Sequence, residues 1–313
     1  MLFCVSFGGR QNRNRDRAED RRDEMMMERF LIRSAVALLI SSAIALMAFK
    51  RKSLNRSGAL VGFLVMATHF ACSYRFGALL LVFFFTSSKV TRLGEEKKKS
   101  LDENFKEGGQ RNWIQVLANS AIATFLVALI AVYTEGEDVC LDTNVSTFVT
   151  ASIGGVIGHY ACCNGDTWSS ELGMLSNAQP RLLTTFKKVR KGTNGAVSFI
   201  GLVAAAAGGF VIGLTFVMVS WITVSCPIDV AWRQFLVLPI ATLAGLCGSL
   251  IDSLLGSTLQ FSGYCTLRKK VVGRKGPTVI RISGIDLLDN DAVNAVSVLT
   301  TTLLTALACA HIF

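Results

Sequence analysis

The chain has 313 residues, 51% of them hydrophobic and only 4 of them proline, with a formal net charge of +10. A soluble domain has an apolar share of about 45–50% even with glycine counted; glycine is outside the 51% here and the mean hydropathy is +0.46, which excludes an ordinary soluble protein. The apolar residues fall in runs near the ~20 residues that cross a hydrocarbon core as a helix, so the chain reads as all-α: a polytopic transmembrane bundle of seven to eight spans with small cytosolic loops.

Residues 1–29, with "RQNRNRDRAEDRRDEMMMER", mix arginine with acids and present no apolar face. They read as a disordered polar tail ahead of a membrane domain over 30–313. Transit peptides are poor in acids, so the segment does not resemble one. The first span covers 31–49 and is followed by the basic loop "KRKSLNR". Residues 57–88, broken at Arg75, read as a tight hairpin of two short spans, with one long tilted helix as the alternative. A polar segment then leads to a clean span from Trp113 to Tyr133, with an interfacial aromatic at either end. The next loop, "TEGEDVCLDTNVS", holds four acids and no lysine or arginine. Basic loops stay in the cytosol, so 89–111 is placed there and 134–146 outside or in a lumen.

Spans at 147–163, 196–224, 234–256 and 292–312 continue the alternation. Loop 164–194 and the segment containing "LRKKVVGRK" are then cytosolic, and "SCPIDVAWR" is external. The sequons at Asn144 and Asn55 fall on opposite sides. The β-prone run "PTVIRIS" suggests a small cytosolic hairpin. Nine scattered cysteines show no C-x-x-C pair, so they read as small packing residues rather than a zinc site or disulfide framework. His69, His159 and His311 share no triad or metal-ligand spacing. Because spans separate the basic loops, membrane lipid is an expected partner and nucleic acid is not.

Four polar clusters face the cytosolic side. In "GDTWSSELG" a continuing helix puts Asp166, Ser169, Ser170 and Gly173 on one face with Glu171 elsewhere; a turn would bring the two carboxylates together. In "VRKGTNGAVS", Arg190, Lys191, Gly192, Thr193, Asn194 and Gly195 precede a span, and exposed N–H groups beside cations suit phosphate oxygens. The spacing is not that of a Walker loop, and charge at a membrane edge ordinarily just anchors a helix. In "GLCGSLIDSLLGSTLQ", Gly245, Ser249, Asp252 and Gly256 form a small-polar stripe, and an acid within an apolar span is a functional candidate by default. In "LLDNDAVNAVS", Asp289, Asn290, Asp291 and Asn294 open the last span, where an acid and an amide also serve as helix caps. Gly201, Ala205, Gly209 and Gly213 read as a packing seam. Together, acids for a divalent metal and donors for phosphates are the parts that phosphoryl transfer needs.

Six segments occurring in order carry a resemblance: "FGALLLVFFFTSSKVT", "KEGGQRNWIQVLANS", "NGDTWSSELG", "RKGTNGAVSFIGLVAA", "GSLIDSLLGSTLQ" and "SGIDLLDNDAVN". They resemble the integral membrane family that contains human transmembrane protein nineteen and phytyl-phosphate kinase of the vitamin E pathway. The resemblance covers residues 34–312 and matches Asp166, Ser170 and Glu171, then Lys191, Gly192, Thr193 and Asn194, then Ser249, Asp252 and Gln260, then Asp291 and Asn294. It implies a kinase that adds a second phosphate to phytyl phosphate, using CTP or another nucleoside triphosphate with a divalent cation.

The residues and the resemblance together point to a membrane-embedded kinase of a polyprenyl lipid phosphate. Asp166, Asp252 and Asp291 are its expected catalytic residues and, with Glu171, its Mg²⁺ ligands. Arg190, Lys191, Gly192, Thr193, Asn194, Gly195, Ser249 and Asn294 are the expected phosphate and nucleotide contacts. The alternatives are a transporter using the same acids as an ion path, and a non-enzymatic component of glucose-responsive growth, which the resemblance suggests. The expected location is the plasma membrane or endoplasmic reticulum rather than the chloroplast.

Overall fold

In hydrocarbon a backbone must satisfy its own polar groups, so the apolar runs fold as helices. The computed structural model describes residues 6–101 and 107–313. Helix α1 is Ser6–Lys50, α2 Arg56–Cys72, α3 Tyr74–Arg92, α4 Glu95–Leu101, α5 Trp113–Ala118 and α6 Ala121–Tyr133. Helix α7 is Thr143–Leu175, α8 Phe199–Thr223, α9 Ile228–Arg233, α10 Val237–Leu259 and α11 Asn290–Ile312. Among the described residues, five segments are long and apolar enough to cross a membrane: Phe30–Lys50, Thr143–Leu175, Phe199–Thr223, Ile228–Leu259 and Asn290–Ile312. Arg56–Cys72 and Ala121–Tyr133 are shorter apolar helices.

Loop contacts sort the chain into two ends without reference to charge. At one end Arg33 donates to the carbonyls of Cys72 and Gly136, Arg75 pairs with Asp138, Gln234 bonds the backbone of Leu141, and Arg233 reaches the Ile312 carbonyl. At the other end Asn55 N–H bonds Arg111, Arg92 reaches Arg51 and Ser53, Lys97 reaches Leu175, and Lys270 reaches Lys99. Between the ends the chain passes eight times, over 34–50, 56–72, 74–92, 113–133, 143–175, 199–223, 228–259 and 290–312. The second end is the basic one.

The hairpin reading of 57–88 is the one observed. Ser73 breaks the helix in extended geometry (φ −162°, ψ 138°), and its hydroxyl accepts from Arg75 N–H to cap α3. The Arg75 side chain is 1% exposed, ion-paired to Asp138 at 3.2 Å and bonded to the Val139 carbonyl, so it ties the acidic loop to the bundle.

Three expectations are corrected. The span 113–133 is not one clean helix: it breaks at Asn119–Ser120, and His159 Nε2 donates to the freed Asn119 carbonyl at 3.0 Å. Such breaks are tolerated where a neighbouring helix supplies the missing partner. Cys140 and Cys226 form a disulfide with a Cα separation of 6.0 Å. Both lie in loops placed on the outer side, so the fold joins them across a sequence separation of 86 residues that leaves no local signature. The cytosolic hairpin is a three-stranded antiparallel sheet, in which β3 (Ser262–Cys265) lies between β4 (Lys270–Val272) and β5 (Val279–Ser283); upstream, β1 (Arg181–Leu182) pairs with β2 (Ala196–Val197). Helix α1 starts at Ser6 and runs without a break into the first span.

Helix α7 is the centre of the bundle, with Ile153, Ile157, Tyr160, Ala161 and Cys162 fully buried. An unbroken buried surface of this kind marks a helix enclosed by others. Ser146 interrupts its first turn (φ −160°, ψ 113°), and residues 147–175 beyond it span roughly 44 Å at 1.5 Å per residue, well beyond a ~30 Å hydrocarbon core. The excess projects at the basic end and carries "GDTWSSELG" as helix.

Candidate functional site

The site begins with a glycine contact. A Cβ on Gly165 would lie 2.7 Å from the Gly245 carbonyl and 2.9 Å from that of Ala205, so the backbones of α7, α8 and α10 touch there. Small residues permit this approach, which the packing seam on α8 extends through Gly209 against Ala241. The next residue after the contact is Asp166. Its Oδ1 accepts from Ser249 Oγ of α10 at 3.4 Å. Asp252, three residues further along the same face of α10, accepts through Oδ2 from Ser297 Oγ of α11 at 3.2 Å.

Two half-buried carboxylates thus lie within electrostatic reach of each other, held by hydroxyls from two helices. Cys162, one turn before Asp166, closes the inner wall: a Cβ on Gly248 would fall 2.5 Å from its Sγ. Asp252 is seven residues from the end of α10 and Ser297 seven from the start of α11, about 10 Å inside the basic end by helical rise. Like charges in a medium of low dielectric repel strongly unless a cation lies between them. Hard oxygen donors suit a divalent one.

The other predicted residues divide. Glu171 does not join the pair: it forms a 2.6 Å ion pair with Lys98, which is 3% exposed. Lys98 also donates to the Val90 and Thr91 carbonyls, so all three ammonium N–H groups are used and the α3 terminus is capped. Arg190 stacks on the Tyr264 ring, 3.9 Å from its centroid. Lys191 donates to the Ser176 carbonyl and, at 3.4 Å, to that of Met174, closing the end of α7. Gly192 turns the chain at φ +84°. Thr193 is buried and bonds the Arg190 carbonyl, and Asn194 bonds Ser262 and Phe261 beside β3. Gly195 (φ +73°) presses on Ser253 and Ser257 of α10, within about a turn and a half of Asp252. The basic loop is therefore packed against the helix that carries the second carboxylate.

Asp291 stands in the first turn of α11, where Asp289 caps Ala292 N–H at 2.8 Å. It lies six residues before Ser297, roughly 9 Å along the helix. Asn294 meets the site through its backbone carbonyl, which lies 3.0 Å from Ser297 Oγ and competes with Asp252 for the single hydroxyl hydrogen. Two of the four expected metal ligands come together, and among the described residues no group of three or more His, Cys, Asp or Glu side chains is placed to hold a metal ion. Ser297, Lys98 and Arg111 were not foreseen as site residues. Ser297 lies one turn beyond Asn294 within a polar row, a spacing that could have marked it. Lys98 sits in a run of three lysines that only burial distinguishes. Burial lowers the Arg111 guanidinium from its ordinary value, while Glu171 nearby raises it and Arg92 lowers it further.

The profile described as integral membrane protein DUF92 matches residues 39–302. The chain belongs to the DUF92 family. Among its relatives, Protein PGR of Arabidopsis thaliana is 61% identical over 277 residues, which cover 88% of this chain and 96% of that protein. An uncharacterized membrane protein of Methanocaldococcus jannaschii is 34% identical over 239 residues, covering 74% and 86%. One of Synechocystis is 28% identical over 190 residues, covering 61% and 65%. No solved structure matches the chain. Membership agrees with the resemblance carried by the six segments, and this DUF92 chain is an integral multi-pass membrane protein.

Proposed function

We propose that this DUF92 protein is a membrane-embedded kinase of a polyprenyl lipid phosphate, taking its phosphoryl group from a nucleoside triphosphate such as CTP at the basic end. The observation that supports the reading most is that Asp166 of α7 bonds Ser249 of α10, one turn from Asp252 on that helix and beside the basic loop. Mg²⁺ is commonly bound by one or two carboxylates plus substrate phosphates rather than by an all-protein cage, and two carboxylates with two hydroxyls fit that mode. When bound there, it supplies neutralisation of charge on the transferring phosphoryl group.

The chain's own groups orient the reactants. Arg190 stacks by its face, which leaves the planar N–H edge for phosphate oxygens. Lys191, the 192–195 backbone, Ser249 and Asn294 border the same end, and Asp291 stands at its rim. An oxygen of the lipid phosphate attacks the terminal phosphorus, the bridging P–O bond breaks, and a nucleoside diphosphate leaves. The attacking oxygen is already anionic, so no general base is required. Glu171, held by Lys98, fastens α7 to α4. Threonines 301, 302 and 305 extend polarity deeper along α11, but each donates to its own helix carbonyl and so lends the ion-path reading little support.

Purified protein supplied with CTP, Mg²⁺ and phytyl, farnesyl or geranylgeranyl phosphate should yield the lipid diphosphate by mass spectrometry. Asp252→Asn should lose on the order of 10²-fold or more in turnover with an unchanged melting temperature. No diphosphate from any lipid phosphate with any of the four nucleoside triphosphates would overturn the proposal.

A further inference from the structure

Away from the carboxylate pair, the other face of α3 borders a cavity. Thr86 and Ser87 turn toward α7, each bonding Asn164 at 3.0 Å. Ser88, Lys89 and Arg92 instead open on a cavity of about 410 Å³ between α3 and the end of α1, a size within the range of small-ligand sites. Arg51 and Ser53 complete its rim, while Met47, Phe84 and Phe85 give it an apolar wall. Three cations line it and, among its lining residues, no acid does.

The rim is already organised. Arg92 Nη2 donates to the Arg51 carbonyl and to Ser53 Oγ, both at 2.7 Å, which fixes the guanidinium. Arg111 donates to Ser88 Oγ at 3.0 Å from behind. Each hydroxyl accepts from an arginine and so keeps its own O–H to donate outward. Cations gathered this closely repel one another unless an anion sits among them. Ala48 and Leu93 extend the apolar wall, and Phe85 is exposed on the bundle surface. Helix α1 packs chiefly on α2, so the cavity fills the space left between α1 and α3.

We propose that this cavity binds the phosphate headgroup of an anionic phospholipid of the cytosolic leaflet, with an acyl chain against the apolar wall of Met47, Phe84 and Phe85. Basic pockets between helices at this face suit such headgroups, and the leaflet is rich in them. The site is separate from the carboxylate pair and does not depend on the kinase reading.

The test uses the full chain in a neutral detergent, with thermal unfolding and native mass spectrometry as readouts. Phosphatidylglycerol should raise the melting temperature and appear as a retained adduct, while phosphatidylcholine and inorganic phosphate should not. The double variant Arg51→Gln/Lys89→Gln, which leaves the braced Arg92 intact, should weaken that response on the order of tenfold or more. Asp252→Asn should respond as the wild type does, which keeps this result distinct from loss of kinase activity. Equal stabilisation by phosphatidylcholine, an unchanged response in the double variant, or a full response to inorganic phosphate alone would each overturn the proposal.

Discussion

Lys98 and Glu171 offer a direct way to tell a structural clamp from a site ligand. At 2.6 Å and an effective dielectric of about 20, their gross attraction is roughly 6 kcal/mol. An exposed pair nets at most about 1 kcal/mol, but removing one partner of a buried pair costs about 3–5 kcal/mol because the other charge is stranded. Glu171 is 18% exposed and glutamine keeps an oxygen acceptor, so Glu171→Gln should cost about 2 kcal/mol. Lys98→Met also removes the donors to Val90 and Thr91 and should cost about 3 kcal/mol. The double variant should cost less than Lys98→Met alone, since its second change removes the carboxylate that the first leaves stranded. For a chain of 313 residues the losses translate to about 3–5 °C in melting temperature, read by thermal unfolding in one detergent. A Glu171→Gln protein that melts like the wild type yet loses turnover would refute the clamp and return Glu171 to the site.

Two further outcomes follow from the geometry. Chain entropy for a disulfide closing 86 residues gives an upper limit of about 4.6 kcal/mol; with the intervening helices still inserted, Cys140→Ser should cost about 2 kcal/mol, and neither Cys140 nor Cys226 should take a maleimide before reduction. Labelling of both without reductant would show that the bond does not form. Gly195→Ala places a Cβ 2.3 Å from the Ser253 carbonyl at φ +73°, so it should cost about 3 kcal/mol or more and lower the melting temperature, whereas an unchanged transition would mean that the loop is not seated on α10.

Hydropathy and charge alternation located the spans because burial in lipid demands long apolar helices and basic loops remain on one side. What they could not show was interruption. Asn119 and Ser120 are too few to break an apolar average, and only the position of His159 reveals that a partner waits for the freed carbonyl. Cys140 and Cys226 carried no local pattern, yet topology alone had placed both in outer loops, and that coincidence was the available clue. The carboxylate pair was legible in half: Asp166 and Asp252 stood out as acids in apolar surroundings. Glu171 stood out equally, and its diversion to Lys98 depends on α4, a helix outside the membrane with no hydropathy signal. Arg75 looked like a mere interruption, whereas the fold uses it to hold Asp138 and Val139.

Between helices surrounded by lipid there is little hydrophobic drive, and association rests on close packing and interhelical hydrogen bonds. Residues 164–166 concentrate both. Asn164 donates Nδ2 to the Gly208 carbonyl and accepts from Thr86 and Ser87, joining α7 to α8 and α3. Gly165 admits α8 and α10 to backbone contact, and Asp166 meets Ser249 of α10, beyond which Asp252 reaches α11 through Ser297. The 3.4 Å Ser249–Asp166 contact is near the outer limit for a hydrogen bond, so a single methyl at Gly165 or Gly245 that parts the helices by a few tenths of an ångström would break it. The residues that hold the bundle together are therefore the ones that set the distance between its two carboxylates, and packing changes at the glycines should reach the site before they unfold the protein.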